Sequence, residues 1–221
     1  MRNERIEKTE QFLKGLFNDS EYFKKDPYAM NYRLEHSYRV AHIGKEIAEA
    51  EGMDAERMIV ASLLHDVAYY LDFSKIEGGY REHGRKGAAI ARPFLYELGY
   101  SEKEVEEVCY GIAIHVDDES DFEGDRTAFA LTVGDADNID RFDVFRIYEA
   151  LENEHYWKMS IDERNDFLNR KLENLERYKK MNCATKTAER MWQEKLDFQT
   201  EFFTRLKHQN ANSTWWSVHD K

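Results

Sequence analysis

The chain has 221 residues, of which 42% are hydrophobic and 14% aromatic, so it can bury the core of one large domain. It carries 44 acidic and 32 basic residues, and the net charge of −12 argues against a general affinity for DNA or RNA backbones. Only 2 prolines and 11 glycines are present, which favours long helices over a turn-rich β fold.

The cysteines and the hydropathy indicate a soluble, cytoplasmic protein without a membrane partner. Cys109 and Cys183 are too few for a disulfide framework and fit a reducing compartment. Residues 1–5 are charged and lack the apolar core of a secretion signal. No stretch approaches the roughly eighteen apolar residues that cross a bilayer.

Nearly every segment shows the periodicity of an amphipathic helix. In chain order, helices are predicted for residues 5–17, 27–51, 55 to about 65, 82–98, 102–115, 128–139, 161–181 and 184–208. Asp26 followed by Pro27 marks one helix start, and Gly52 marks its end. Capping boxes begin with Ser101 and Ser160.

The remaining segments divide these helices. Residues 71–79 and the acidic residues 117–125 are predicted to be loops, and Pro93 should kink or divide the helix that contains it. We expect a catalytic core at residues 1–150, with a C-terminal helical pair at 151–221 packed on it as one continuous domain. Whether the tail around Trp215 docks on this body is left open.

Histidine and aspartate recur along the helices in an ordered set: His36, His65, Asp66, His83, His115 and Asp137. The adjacent pair in this set follows the apolar run 58–64, where such groups are costly unless something pairs with them. Metal coordination explains the recurrence, because neutral imidazole and carboxylate suit divalent iron, manganese, cobalt, nickel or zinc, with magnesium also possible.

The set is large enough for two ions. His36, His65, Asp66 and Asp137 make one complete site; His83 and His115 supply a second, for which Asp66 is the natural bridging ligand. Two metals about 3.5–4 Å apart can clamp a phosphoryl group between them.

This order of residues resembles the HD superfamily of metal-dependent phosphohydrolases. His36, the pair His65-Asp66 and Asp137 match the defining motif, and His83 and His115 resemble the extra histidines of its dinuclear branch. The pattern over 185–203 resembles the tail of small stand-alone bacterial members. The resemblance implies an all-α fold, an HD-domain bundle of roughly ten helices with the metal site in its centre.

The last ligand and the substrate class depend on details of these motifs. Asp135 and Asp140 compete with Asp137, which the Ala-Asp step of the family motif favours. Many relatives have arginine where this chain has Asn138, and Arg141 is a candidate substitute. The lysine and the Gly-Tyr-Pro motif of the cyclic-dinucleotide-degrading branch are missing, which argues against that substrate.

Catalytic and substrate-binding residues are predicted around the candidate metal ligands. Asp66, His83 and His115 are the predicted catalytic residues, and the two histidines either hold the second ion or contact the substrate and move protons. Five basic side chains are predicted to contact phosphate: Arg39, Arg81, Arg85, Lys86 and Arg141. Tyr69, Tyr70 and Tyr80 lie where a base or sugar could stack, although packing is their ordinary role.

The predicted function is metal-dependent hydrolysis of a nucleotide or another small phosphoester by an activated water. One alternative is an HD-fold mixed-valent di-iron oxygenase, because the same six ligands serve that chemistry. Another is a non-catalytic nucleotide sensor, although such modules usually lose ligands. The expected partner is a small phosphorylated substrate rather than nucleic acid, and a homodimer is possible.

Overall fold

The computed structural model describes residues 3–214, so the predicted features at Trp215 and beyond lie outside the described residues. Within this range the chain forms nine α-helices, four short 3₁₀ segments and no strand. The helices are α1 (Glu4–Asp19), α2 (Pro27–Glu51), α3 (Ala55–Leu64), α4 (His83–Glu97), α5 (Glu102–Ile114), α6 (Ala128–Arg141), α7 (Val144–Asn153), α8 (Ile161–Tyr178) and α9 (Lys186–Ala211). The all-α prediction is confirmed.

Local capping chemistry sets most helix ends where the sequence predicted them. The Asp26 carboxylate accepts a hydrogen bond from the Ala29 amide, with Pro27 at the first helical position of α2. Gly52 ends this helix with a φ of 69°, a left-handed conformation that glycine adopts without strain. Both predicted capping boxes form, one at Ser101 and one at Ser160.

Three segments differ from the prediction. Pro93 does not divide α4, which runs from His83 to Glu97; Pro93 and Ala89, whose carbonyl has no N–H partner from the proline, are both exposed to solvent. The predicted loop 71–79 contains the 3₁₀ turn Phe73–Lys75. Helix α7 was not predicted, although its sequence is strongly amphipathic; its apolar residues Val144, Phe145 and Tyr148 are exposed in the structure.

The chain forms two compact units, one of Met1–Asp140 with Cys183–Ala188, and the other of Arg141–Asn182 with Glu189–Lys221. The boundary expected near residue 150 falls inside the second unit, within α7. The division into a catalytic core at 1–150 and a C-terminal pair stays a prediction about function.

The first unit packs α2 against α3 and α4 against α5 around a continuous apolar core. Glycine allows the closest of these approaches. A Cβ on Gly84 of α4 would lie 2.5 Å from the backbone oxygen of Ala113 on α5, so no larger residue fits without displacement. This crossing matters for the site because it brings His83 and His115 side by side.

The second unit has its own apolar seam between α8 and α9. Phe167 and Leu168 of α8 and Leu196 and Phe203 of α9 are fully or almost fully buried, as the sequence predicted for these aromatic stripes. The Trp192 indole donates a hydrogen bond of 3.2 Å to the Tyr178 backbone oxygen.

In the part of the chain that the structure describes, no helix has the length and hydropathy needed to cross a membrane.

Candidate metal centre

Most of the predicted metal ligands lie at helix ends in the first unit. His65 directly follows α3, His83 begins α4 and His115 directly follows α5. Asp66 comes one residue after His65, ahead of the 3₁₀ segment Val67–Tyr70. The two remaining ligands, His36 in α2 and Asp137 in α6, lie within helices and are buried.

Three of these side chains form a first group of donor atoms. His36 Nε2 lies 3.1 Å from Asp137 Oδ1 and 3.2 Å from His65 Nε2. His65 Nε2 lies 3.9 Å from the same oxygen of Asp137. The set is close enough to share one metal ion.

A second group lies on the other side of Asp66. Its Oδ2 atom is 3.6 Å from Nε2 of both His36 and His65, whereas Oδ1 is 3.3 Å from His83 Nε2 and 3.7 Å from His115 Nε2. The two Nε2 atoms of His83 and His115 are 3.1 Å apart. Asp66 therefore presents one carboxylate oxygen to each pair of histidines.

All four imidazoles are held in the orientation that a metal ligand needs. Their Nδ1 atoms face acceptor oxygens: Asp140 Oδ2 for His36, and the backbone oxygens of Ser62, Tyr80 and Ile112 for His65, His83 and His115. Since a carbonyl or carboxylate can only accept, each Nδ1 must carry the proton. In the neutral ring the Nε2 lone pair is then free for a metal.

This arrangement demands positive charge between the rings. Two neutral imidazoles that face each other through Nε2 at 3.1–3.2 Å would oppose their lone pairs unless a proton or a metal ion lay between them. With metal–ligand bonds of about 2.1 Å, donor atoms around one ion lie roughly 3.0–3.5 Å apart, close to the spacing of most of these pairs. The donor set therefore fits one or two divalent transition metals.

The pKa values of His36 and His65 also indicate that positive charge is favoured between their rings. Burial lowers the pKa of His36, but hydrogen bonds to Asp137 and Asp140 outweigh it and raise the pKa to about 9. Burial dominates at His65 and lowers its pKa to about 4, although Asp66 and Asp137 oppose the change. One ring of the pair thus attracts positive charge while the other remains a neutral donor.

Asp66 is the charged group on which both pairs depend. Burial raises its pKa, but His65, Arg33 and the other histidines around it outweigh burial and hold the pKa well below its usual value. Arg33 Nη1 donates a 2.8 Å hydrogen bond to Asp66 Oδ2. Arg33 was not among the predicted site residues, although it precedes His36 by three residues and so shares its face of α2.

Asp140 lies outside the donor set, behind His36. Its Oδ2 accepts from His36 Nδ1 at 2.7 Å, so it orients this ring. The Arg39 guanidinium clamps the same carboxylate, with Nε 2.7 Å from Oδ1 and Nη2 3.1 Å from Oδ2. Arg39, which was predicted to bind phosphate, is thus engaged by Asp140 in the structure.

The structure also separates Asp135 from Asp137. Asp137 lies in one donor group with His36 and His65, whereas Asp135 Oδ2 accepts a hydrogen bond of 2.7 Å from the Ala184 amide. Asp135 therefore anchors the segment that precedes α9. The choice of Asp137 as the last metal ligand stays a prediction.

The other predicted phosphate contacts lie in less specific surroundings. Arg85 is held by ion pairs to Glu82 at 2.8 Å and to Asp117 at 3.1 Å. Arg81 and Lys86 are exposed. Arg141 is the exposed last residue of α6 and belongs to the second unit. Their substrate-binding roles stay predictions.

An aromatic cluster lies beside the second pair of histidines. The ring centroids of Tyr69 and His83 are 4.7 Å apart, and Tyr80 stacks on Tyr69 at 6.1 Å. Tyr69 is buried, whereas Tyr80 is 55% exposed. The His83 side chain is 11% exposed and that of Arg33 is 26% exposed, so the centre is partly open to solvent on their side.

Comparison with known proteins agrees with this architecture. A family model described as HD domain matches residues 33–142, a range that includes all six predicted ligands. A solved structure, described as a predicted HD superfamily hydrolase from an uncultured Thermotogales bacterium, covers 92% of this chain and 91% of its own. Its TM-score is 0.62 at 22% sequence identity, a likeness that shows the fold. No curated protein matches the chain.

Proposed function

The chain is an HD-domain protein, and we propose that it is a metal-dependent phosphohydrolase acting on a nucleotide or another small phosphoester. The observation that carries the proposal is the pairing of histidines across Asp66. Each carboxylate oxygen faces two Nε2 atoms, at 3.3–3.7 Å, and each pair of rings needs a proton or a metal ion between its nitrogens. A site for two ions of like charge is suited to a substrate that carries several negative oxygens.

Each side chain has a defined part in this proposal. His36, His65 and Asp137 would hold one ion, His83 and His115 the other, and Asp66 would serve both through separate oxygens. Bound ions of this class supply Lewis acidity toward a phosphoryl oxygen and a coordinated water whose pKa lies near neutrality. Asp140 keeps the His36 ring in place through Nδ1, and the backbone oxygens of Ser62 and Ile112 do the same for His65 and His115.

The surroundings of the site support a small substrate. The side chains of His65 and His115 are 0% and 1% exposed, so water has little access from their side. Tyr80, largely exposed beside Tyr69 and His83, offers a ring on which a base could stack. The acidic excess of the chain makes a nucleic-acid substrate a poor fit.

The first test is the metal content of the freshly purified protein by elemental mass spectrometry, with Asp66→Ala beside it. We expect about two ions per chain in the wild type and a large loss in Asp66→Ala. The control is Asp72→Ala, since Asp72 is a loop carboxylate that pairs with Lys75 at 2.8 Å. A panel of phosphoesters then identifies turnover, which Asp66→Ala should abolish.

Each result has a separate meaning. About one ion per chain would reassign His83 and His115 to substrate contact or proton transfer. No ion, even after reloading, would contradict the proposal and leave the nucleotide sensor. Two redox-active irons with oxygen consumption, and no phosphoester turnover, would instead support the di-iron oxygenase, because the same six side chains suit both chemistries.

A further inference from the structure

We propose that Arg33 binds the phosphoryl group of the substrate beside the paired histidines; the inference rests on the proposed hydrolase function and adds the residue that recognises the transferred group. Arg33 was absent from the predicted phosphate contacts. Its guanidinium combines a position at the centre, unused donors and access to solvent.

The position follows from its bond to Asp66. Arg33 Nη1 lies 2.8 Å from Asp66 Oδ2, the oxygen that is 3.6 Å from Nε2 of both His36 and His65. The guanidinium therefore borders the first group of donor atoms directly. A phosphoryl group bound there would lie next to a fixed positive charge.

The orientation of the guanidinium is fixed by an aromatic ring. The Arg33 Cζ atom lies 3.5 Å from the centroid of the Tyr69 ring, a close cation–π contact. Tyr69 is buried, so it is a rigid support. A guanidinium fixed in this way loses less conformational freedom when it binds a ligand, which strengthens binding.

Unused donors distinguish Arg33 from the neighbouring arginines. A guanidinium has five N–H groups, and within residues 3–214 only Nη1 of Arg33 has a hydrogen-bond partner, which leaves Nε and Nη2 available. Arg39 already directs Nε and Nη2 to Asp140, and Arg85 is divided between Glu82 and Asp117. The Arg33 side chain is 26% exposed, so a ligand can reach it.

The charges at the site favour the same assignment. Arg33 shares its carboxylate partner with four imidazoles, so a bound ion would draw the charge of Asp66 away from the guanidinium. The guanidinium would then stabilise negative charge that develops on the phosphoryl oxygens, a role in which arginine is especially effective.

The experiment compares Arg33→Ala and Arg33→Lys with a matched control, Arg92→Ala. Arg92 is also half-buried and lies 4.8 Å from an aromatic centroid, that of Phe122, in the same unit but away from the histidines. Three quantities are measured: bound metal by elemental mass spectrometry, the Kd of inorganic phosphate for the manganese-loaded protein by calorimetry, and kcat and KM for the best phosphoester.

We expect Arg33→Ala to keep its metal content and to weaken phosphate binding roughly 10–100-fold, as for a lost hydrogen bond to a charged group. Arg33→Lys should lie between, because it keeps the charge without the planar fork. Arg92→Ala should match the wild type. If Arg33→Ala does not fold, Arg33→Met replaces it and retains the aliphatic stem over Tyr69.

The outcomes separate this inference from the proposed function. Loss of metal in Arg33→Ala would show that Arg33 only positions Asp66 and would overturn the inference. Unchanged phosphate affinity with full metal content would also overturn it, while wild-type turnover would leave the hydrolase function standing. If the wild type neither binds phosphate nor hydrolyses any phosphoester, both the role of Arg33 and the proposed hydrolase function are contradicted.

Discussion

At the scale of single residues, the two ring nitrogens of each histidine in the candidate centre have different roles. In each of the four imidazoles, Nε2 faces Asp66 and Nδ1 donates a hydrogen bond to an oxygen that is held in place. The backbone supplies three of these oxygens, which mutation of a side chain cannot remove. Only His36 depends on a side chain, Asp140, so this support can be tested directly.

The first prediction distinguishes two aspartates that lie two residues apart. Asp137→Ala should lower bound metal by about one ion per chain, because Asp137 Oδ1 is 3.1 Å from His36 Nε2. Asp135→Ala should keep the metal and cost about 1 kcal/mol of stability, the usual value of the hydrogen bond it accepts from Ala184. Metal analysis and urea unfolding measure the two effects; metal loss confined to Asp135→Ala would contradict the assignment.

The second prediction concerns the support behind His36. Asp140→Ala should weaken metal binding by roughly 10–100-fold, since outer carboxylates hold a ligating histidine in its tautomer and orientation. Competition with a chromogenic chelator measures the change. Asp143→Ala is the control, because Asp143 caps α7 and pairs with Lys195 at 2.6 Å, both in the second unit. Equal affinities in the two variants would refute the positioning role.

At the scale of helices, close packing between α4 and α5 determines whether the second pair of histidines forms. Gly84 follows His83, and the backbone oxygens of Ala113 and Ile112 lie 2.5 and 2.9 Å from where its Cβ would be. These are backbone atoms, which cannot rotate away. The spacing of His83 and His115 therefore rests on a residue with no side chain.

The third prediction follows from this crossing. Gly84→Ala should lower the free energy of unfolding by about 2 kcal/mol, as overpacking typically does, and should weaken metal binding by separating the two histidines. Gly15→Ala is the matched control, since a Cβ at Gly15 would meet no atom within 4 Å and alanine is the better helix former, so stability should stay or rise by up to about 1 kcal/mol. Denaturant unfolding measures the stability of both variants, and elemental analysis measures their bound metal. A Gly84→Ala protein with wild-type stability and full metal content would contradict the prediction.

At the scale of the whole molecule, the described contacts assign the candidate centre to the first unit. A second polar network joins distant parts of this unit at its surface. Glu56 of α3 accepts hydrogen bonds from Arg5 of α1 at 2.9 Å and from Tyr100, ahead of α5, at 3.1 Å. Arg5 also stacks on Tyr100, 4.2 Å from its ring centroid.

The fourth prediction is the pH dependence of this network. Burial raises the pKa of Glu56, but hydrogen bonds from Asn3, Arg5 and Tyr100 outweigh it and place the pKa below 4.5. Because the folded-state pKa is lowered, the contribution is present above about pH 4.5 and is lost as the pH falls through the folded value. The stability difference between wild type and Glu56→Gln, by urea unfolding, should be about 1 kcal/mol at pH 7 and should shrink as the pH falls below about 4.5. A difference independent of pH would refute it.

The sequence by itself determined the helical class, most helix ends and the order of the six candidate ligands. These features are local: Asp26 and Ser101 cap through neighbouring amides, Gly52 stops a helix by its own φ, and the spacing of His65-Asp66 after an apolar run is visible along the chain. Tertiary structure alone decided which distant groups the polar side chains around the site face. It paired Arg39 with Asp140, 101 residues away, turned Asp135 toward Ala184, and placed Arg33 against Asp66. Spacing limits which groups share a helix face, but partners brought from other helices are fixed only when the packed core aligns those helices.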